Sequence, residues 1–573
     1  MRILLSTVPK PIPMMMDKYL SIDDSSYRFV VDQGIFSVNS ENHCYSLHFL
    51  AQNIAFPSTV LEWPTMDELA DELRKTFYDY VGFSVKVIDL THVSKAIDLI
   101  KKVSPKTKVM VGGFGMLGIE DLREFGVDIA DKADLIVRGE GVEFINNLAG
   151  VTHRLPRTSF LPLERIRSSW LPQETKVGYV LSALGCPVRC EFCATTAFIA
   201  DGKVHEVMTP MEIYKATRAY FDAYRDFHMV YVMDENFLAY KKKVNEIGKL
   251  LREDDAYGLS RLNMQSFGTI KAISLWDPEE LLLNGVSGIW SGVESFYSYD
   301  RKKGKEVAAT INGLHDNGIQ TILSWIVGDD CQTKENIADD VNQFVALKPP
   351  SAQFSVLTAM PGTPMWYRLK KEGRLLPFVA GEMHLLGNSL DSQAFTHQER
   401  IDIVFGAYKK MYETNGTAIM RQMDVELNGY RVCKNSSNPY LNSLEKGKLG
   451  YFQKRVVNSA TLFGAAKKYA PNAHVKGLMD ELEAKYIEIV GPLTKSQKLL
   501  TDHFLKLADQ AHEKVLRDGQ PTPVEPPMMR WDYPGIDRNL RGEPAASSES
   551  LAEQALPTFV SLTATGVGGA GGQ

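Results

Sequence analysis

Short apolar runs alternate with amphipathic stretches along the first two thirds of the chain. Between residues 1 and 150 the runs at 3–8, 80–85, 108–115 and 135–141 read as strands, and 94–103 has helical periodicity. Strands of this length with helices between them predict a parallel, doubly wound sheet. From 175 to 375 the alternation repeats, with strands expected at 177–184, 229–233, 262–267, 287–293, 321–327 and 353–357. Thr209-Pro210-Met211-Glu212 places a capping box and a first-turn proline at the start of a helix reaching about residue 224. Residues 151–174 read as a linker. The pattern turns helical over 376–517, with helices expected at 398–412, 447–469, 475–490 and 495–516. Apolar stripes such as Val404, Tyr408 and Met411 predict core packing there. Residues 518–573 are Pro-rich, then small and polar, too poor in apolar surface to offset chain entropy. They read as a disordered tail, with 528–533 an apolar island able to dock on the body.

Composition narrows the class. With 573 residues, 44% hydrophobic and 23% charged, the chain is long enough for three domains and a tail. A net charge of −6 and no concentrated basic face argue against a nucleic-acid partner. No apolar stretch reaches the ~18 residues a membrane-spanning helix needs, and the opening run stops at Pro9 without a signal-like core. Six cysteines, unevenly placed, are the usage of a reduced compartment, so the expected location is cytoplasmic.

Three of those cysteines, Cys186, Cys190 and Cys193, lie in a C-x3-C-x2-C spacing after an apolar run. A cubane cluster has four irons, each needing one outer ligand, so three thiolates on one loop leave an iron open to a reactant. Structural zinc needs four ligands, and no second pair is near. Cys44, Cys331 and Cys433 read as small core or pocket residues.

The C-x3-C-x2-C run, with Phe192 before its last cysteine, resembles the signature of the radical S-adenosylmethionine (SAM) superfamily. The resemblance implies a partial (β/α)6 barrel over 175–375. It also implies a 4Fe-4S cluster on Cys186, Cys190 and Cys193 that cleaves SAM to a 5'-deoxyadenosyl radical, supplied with electrons by flavodoxin or ferredoxin. Asp234, Glu235 and Asn236 then stand where the family touches the SAM amino group. Gly292, Glu294 and Ser295 match the segment after the fourth strand, Gly328 the backbone segment near adenine, and Pro361-Gly362-Thr363-Pro364 the motif after the sixth. Phe192 packs near adenine in the family manner, or shields the cluster from water; Glu294 has a second reading as a helix cap.

The N-terminal block is similar to the flavodoxin-like cobalamin (B12)-binding domain of one branch of that superfamily, through Gly82-Phe83-Ser84-Val85, Gly112-Gly113 and Arg138-Gly139-Glu140-Gly141. By that resemblance Ser84, Gly112, Gly113, Gly139 and Glu140 line the groove for the cobalamin tail; the alternative is that the glycines only make tight turns. The D-x-H-x-x-G cobalt-ligand motif is absent, and His92 has the wrong spacing. The implied reaction is methyl transfer to an unactivated carbon of a small-molecule or lipid-like substrate. Radical cyclisation, rearrangement or oxygenation on the same cofactors is the alternative within enzymes, and a non-catalytic iron-sulfur protein for electron transfer or sensing the alternative outside them.

Overall fold

The computed structural model describes residues 1–16, 33–199, 203–298, 303–518, 524–537 and 558–559. In the first of its two large sheets, the strands Ser58–Glu62, Ile3–Ser6, Tyr80–Ser84, Lys108–Gly112 and Leu135–Ile136 lie parallel in that order. All four side chains of Ile3–Ser6 are buried, as its unbroken apolar run requires of a strand covered on both faces. The strand order reverses at Ile3–Ser6. A doubly wound sheet opens its ligand crevice at the carboxyl ends beside such a reversal.

The second sheet carries six parallel strands in chain order: Glu174–Leu181, Met229–Met233, Met264–Phe267, Val286–Glu294, Gln320–Val327 and Ser351–Val356. Helix Pro210–Ala223 begins at the expected box, Thr209 and Glu212 bonding each other's backbone N–H, and buries Ile213, Ala216 and Tyr220.

Two stretches differ from their sequence reading, and a third, the apolar island of the tail, docks on the body as expected and does so as a strand. Val38–Glu41, from the N-terminal block, joins the second sheet by antiparallel pairing with Glu164–Ser168, which lies within the supposed linker and itself pairs with Glu174–Leu181. Within the expected tail, Met529–Tyr533 pairs antiparallel with Ser58–Glu62 and buries Tyr533. It covers an edge that would otherwise be bare. The rest of that tail, at 519–523, 538–557 and 560–573, lies outside the described residues. The single helix expected over 447–469 is interrupted by the 3-10 turn Ala460–Leu462. There the Thr461 hydroxyl donates to the Asn458 carbonyl at 2.6 Å, a back-bond that bends helices.

Apolar packing joins the two sheets: Ile3, Leu5 and Val60 share one core with Val180, Val230, Ile289 and Trp325. A second core packs Leu4, Val81 and Val109 against Met365 and Trp366, on the helix that follows the sixth barrel strand. Among the described residues no helix is long and apolar enough to cross a membrane.

Candidate functional site

The carboxyl ends of both sheets open onto one cavity of about 870 Å³. Thr7, Ser84, Gly112, Gly113, Gly139 and Glu140 line it from the first sheet, and Leu181, Tyr231, Met233, Trp290, Glu294 and Ser324 from the second. Leu184 and Phe198, which flank the cysteine loop, belong to the same wall, and Phe198 meets Phe114 of the first unit at 5.0 Å between ring centroids.

The cysteine loop is shaped by its backbone. Gly185 has φ +93°, and a Cβ there would sit 2.9 Å from the Lys203 carbonyl oxygen, so only glycine fits. Arg189 is also left-handed, at φ +59°, and the Cys193 N–H donates to the Cys190 carbonyl at 3.1 Å. Two contacts pin the loop to helix Pro364–Lys371. The Met365 N–H donates to the Glu191 carbonyl at 3.0 Å, and Arg368 Nη2 pairs with Glu191 Oε1 at 2.5 Å. Cys186 is buried, Cys190 and Cys193 are half-buried, and none of the three is in a disulfide. Burial pushes the Cys186 thiol up, and Cys193, Glu235 and Asp234 add to it. A thiolate here therefore needs a cation beside it, which a thiol-bound metal supplies.

At the end of Met229–Met233 the acidic run divides its work. Asp234 accepts from Ser182 Oγ at 3.0 Å and from the Asn236 N–H at 3.3 Å, while Asn236 Oδ1 accepts from the Thr269 N–H at 3.1 Å. Both side chains brace the loop. Glu235 is different: its Oε2 is buried with no hydrogen-bond partner, and burial, with Asp234 adding, pushes its carboxyl up to about 7. An ammonium group would fit such an acid.

Glu294 stands at a bulge where the register between Val286–Glu294 and Gln320–Val327 shifts. Its φ of +62° aims a side chain into the cavity, and its carboxylate lies over Gly292, where a Cβ would collide with it. It ends the strand here rather than capping a helix. Ser295 has another partner: its hydroxyl donates to buried Asp340 at 2.6 Å, bracing helix Ile337–Ala346. Gly328, at φ +110°, donates its N–H to Gln332 Oε1 at 2.8 Å beside the Arg400 side chain. Phe192 packs on the second core.

In the first-sheet crevice, Gly113 has φ +92° and a Cβ there would lie 2.8 Å from the Val85 carbonyl oxygen. Gly139, at φ +81°, has nothing within 4 Å of that position, so its backbone is open to a ligand. The Ser84 and Ser46 hydroxyls bond at 2.9 Å. Glu140 departs from a purely ligand-facing role, because its carboxylate accepts from the Val142 and Glu143 N–H groups at 3.1 and 2.6 Å and caps helix Gly141–Leu148.

Sequence reasoning passed over the aromatic wall of the cavity. Tyr45 stacks on Tyr179 at 4.1 Å, Tyr179 meets Tyr231 edge-on at 5.5 Å, and Phe267 stacks on Trp290 at 5.5 Å. The Tyr179 hydroxyl donates to Glu164 at 2.5 Å. The available signal was alternation: Tyr179 with Leu181 and Tyr231 with Met233 are i, i+2 pairs on inward strand faces. Cys44 also lines the cavity, its thiol pushed up to about 11 by burial.

No profile of a known protein family matches the chain. It is 26% identical over 216 residues to an uncharacterized methyltransferase of Synechocystis, a match spanning 35% of this chain and 38% of that protein. It is 26% identical over 332 residues to the bacteriochlorophyllide d C-8(2)-methyltransferase of Chlorobaculum tepidum, covering 52% of this chain and 69% of the relative. The matched segment therefore spans about two fifths of the first relative and about two thirds of the second. Among solved structures, the radical S-adenosylmethionine methyltransferase TsrM of Kitasatospora setae, with tryptophan substrate and a SAM analog bound, superposes with a TM-score of 0.50. That likeness covers 85% of this chain and 99% of TsrM at 16% identity, and it is a likeness of fold.

Proposed function

We propose that this chain, a member of the radical S-adenosylmethionine superfamily in the branch with an N-terminal cobalamin-binding-type domain, is a methyltransferase acting on an unactivated carbon of a small-molecule or lipid-like substrate. The observation that carries the reading is the shared cavity, where Leu184 and Phe198, on either side of the three-thiol loop, and a glycine-lined crevice border one aromatic-walled space of about 870 Å³. When bound, the 4Fe-4S cluster with SAM supplies a carbon-centred radical, and cobalamin supplies the methyl group.

The chain's own residues then hold and orient. Cys186, Cys190 and Cys193 would ligate three irons. Glu235, the unsatisfied acid at the strand end, would take the SAM ammonium, with Asp234 and Asn236 fixing its loop. Glu294, lying over Gly292, faces the cavity as an acceptor for ribose hydroxyls, while Ser295 acts through Asp340 and Gly328 offers backbone beside the fifth strand. Ser84, Gly112, Gly113 and Gly139 would admit the cobalamin tail at close backbone range. Tyr45, Tyr179, Tyr231 and Trp290 exclude water and offer flat apolar faces to substrate. Electrons would come from a flavodoxin or ferredoxin.

The reading is tested on protein purified anaerobically from cobalamin-fed cells and supplied with reductant and SAM. A corrinoid absorption band together with release of 5'-deoxyadenosine is expected. An intact cluster that yields no 5'-deoxyadenosine contradicts the radical reading, and 5'-deoxyadenosine formation without bound corrinoid under any growth condition contradicts the cobalamin-borne methyl transfer.

A further inference from the structure

The first unit holds a second group of ligating side chains, away from the three cysteines. Glu62 ends strand Ser58–Glu62, His48 lies within helix Tyr45–Asn53, and His43 lies in the loop before that helix. His43 Nδ1 is 2.8 Å and His48 Nε2 is 3.2 Å from the same oxygen, Glu62 Oε2. All three ligand atoms lie within 4.8 Å of one another. The side chains of His48 and Glu62 are fully buried and that of His43 is 7% exposed.

We propose that His43, His48 and Glu62 bind a divalent metal ion, zinc being the best match. Three features favour a cation over a shared proton. His48 Nε2 is buried and faces a carboxylate oxygen 3.2 Å away without a hydrogen bond of good geometry to it. That oxygen already faces His43, so the ligand atoms converge on one space. The outward-facing atoms are meanwhile held: His48 Nδ1 bonds the Tyr533 hydroxyl at 2.6 Å, and Glu62 Oε1 accepts from the Cys44 N–H at 2.6 Å. Support of this kind is what orients metal-binding histidines and carboxylates. Two imidazoles and one carboxylate form a zinc ligand set with a fourth position left open. Tetrahedral ligands at zinc distances stand about 3.3 Å apart, so the observed 2.8 and 3.2 Å need shifts of a few tenths of an ångström. His43 borders the large cavity, which gives the ion a route in.

Because Tyr533 belongs to the strand Met529–Tyr533, the metal would clamp that strand, the helix and the sheet together. The proposal is independent of the methyltransferase reading. It is tested on the full-length, cluster-loaded chain stripped with a mild chelator and titrated with zinc, with zinc and iron measured together by elemental analysis. One zinc per chain beyond the cluster iron is expected. The His43→Ala/His48→Ala double variant should lose that zinc and keep its iron, and Tyr533→Phe, with all three ligands intact, should bind zinc about 10- to 100-fold more weakly. Cobalt(II) in place of zinc should give the visible absorption of a tetrahedral nitrogen and oxygen site. Folded wild-type chain that takes up no zinc, or zinc uptake unchanged in the double variant, overturns the proposal. If the double variant does not fold, the tyrosine variant decides, and an unchanged affinity there overturns it equally.

Discussion

Glu235 and Cys190 concentrate the argument at the scale of single residues. Glu235 is a half-buried acid whose buried Oε2 bonds nothing in the protein, whereas its neighbours Asp234 and Asn236 accept hydrogen bonds that brace the loop. Glu235→Gln is expected to weaken SAM binding about 10- to 100-fold, roughly 1.4–2.7 kcal/mol, with iron content unchanged; equilibrium binding with labelled SAM checks it. Cys190→Ala should abolish cluster assembly, read as iron and acid-labile sulfide, while Cys433→Ala, far along the chain in helix Ala418–Asn435, should keep both. These residues could be found in the sequence because their chemistry sits in contiguous spacing. Alternation marks Tyr179 and Tyr231 as inward-facing, but the stacking of Tyr45 on Tyr179 and the meeting of His43 with Glu62 could not be found, since each joins residues from different elements that only the fold brings together.

The elements explain why the crevice residues cannot be exchanged. Gly113 must hold φ +92° with the Val85 carbonyl 2.8 Å from any added methyl, so Gly113→Ala should cost about 1–3 kcal/mol and lower corrinoid retention. Denaturant melts and the corrinoid band would report the two effects separately. Elements also carry the pH response. His315, bonded through Nε2 to Thr321 at 2.8 Å, and His228, whose Nδ1 accepts the Lys176 N–H at 3.1 Å, are both pushed down to about 4 by burial. Their folded values lie below the ordinary histidine value, so the unfolded chain takes up protons first. Stability is full above about pH 6.5 and is lost as pH falls towards 4, with His315 alone accounting for about 2 kcal/mol at pH 5. Urea unfolding at pH 7.5 and 5 should show this loss, smaller in His315→Gln.

The six barrel strands were visible in the sequence through short apolar stretches recurring between helices, as in Met229–Met233, and all six were found near their observed limits. Val38–Glu41 and Glu164–Ser168 were not, because short strands of mixed burial owe their pairing to their neighbours in the sheet rather than to any local pattern. Helix Ala418–Asn435 also escaped notice: it buries Arg421, Glu426 and Asn428 along with its apolar residues, which blurs the period.

For the molecule as a whole, the apolar cores weld the two sheets into one body whose carboxyl ends face a common space. A strand from beyond the helical region completes this arrangement. Met529–Tyr533 covers the edge of Ser58–Glu62, Thr59 donates to Asp532 at 2.8 Å, and Arg530 pairs with Glu72 at 3.3 Å. A chain ending at Asp518 should therefore melt at a lower temperature, by about 1 °C per kcal/mol lost at this chain length, while still assembling its cluster. Calorimetry beside iron analysis separates that outcome from a general failure to fold.

The central claim is that the three-cysteine loop leaves one iron corner free for the amino and carboxylate groups of SAM. The most direct measurement is hyperfine spectroscopy of the reduced cluster with SAM carrying a ¹⁵N amino group. The account predicts a ¹⁵N coupling from direct ligation, lost when SAM is left out. A cluster that shows no coupling while SAM is bound, or whose fourth iron carries a protein side chain, would contradict it.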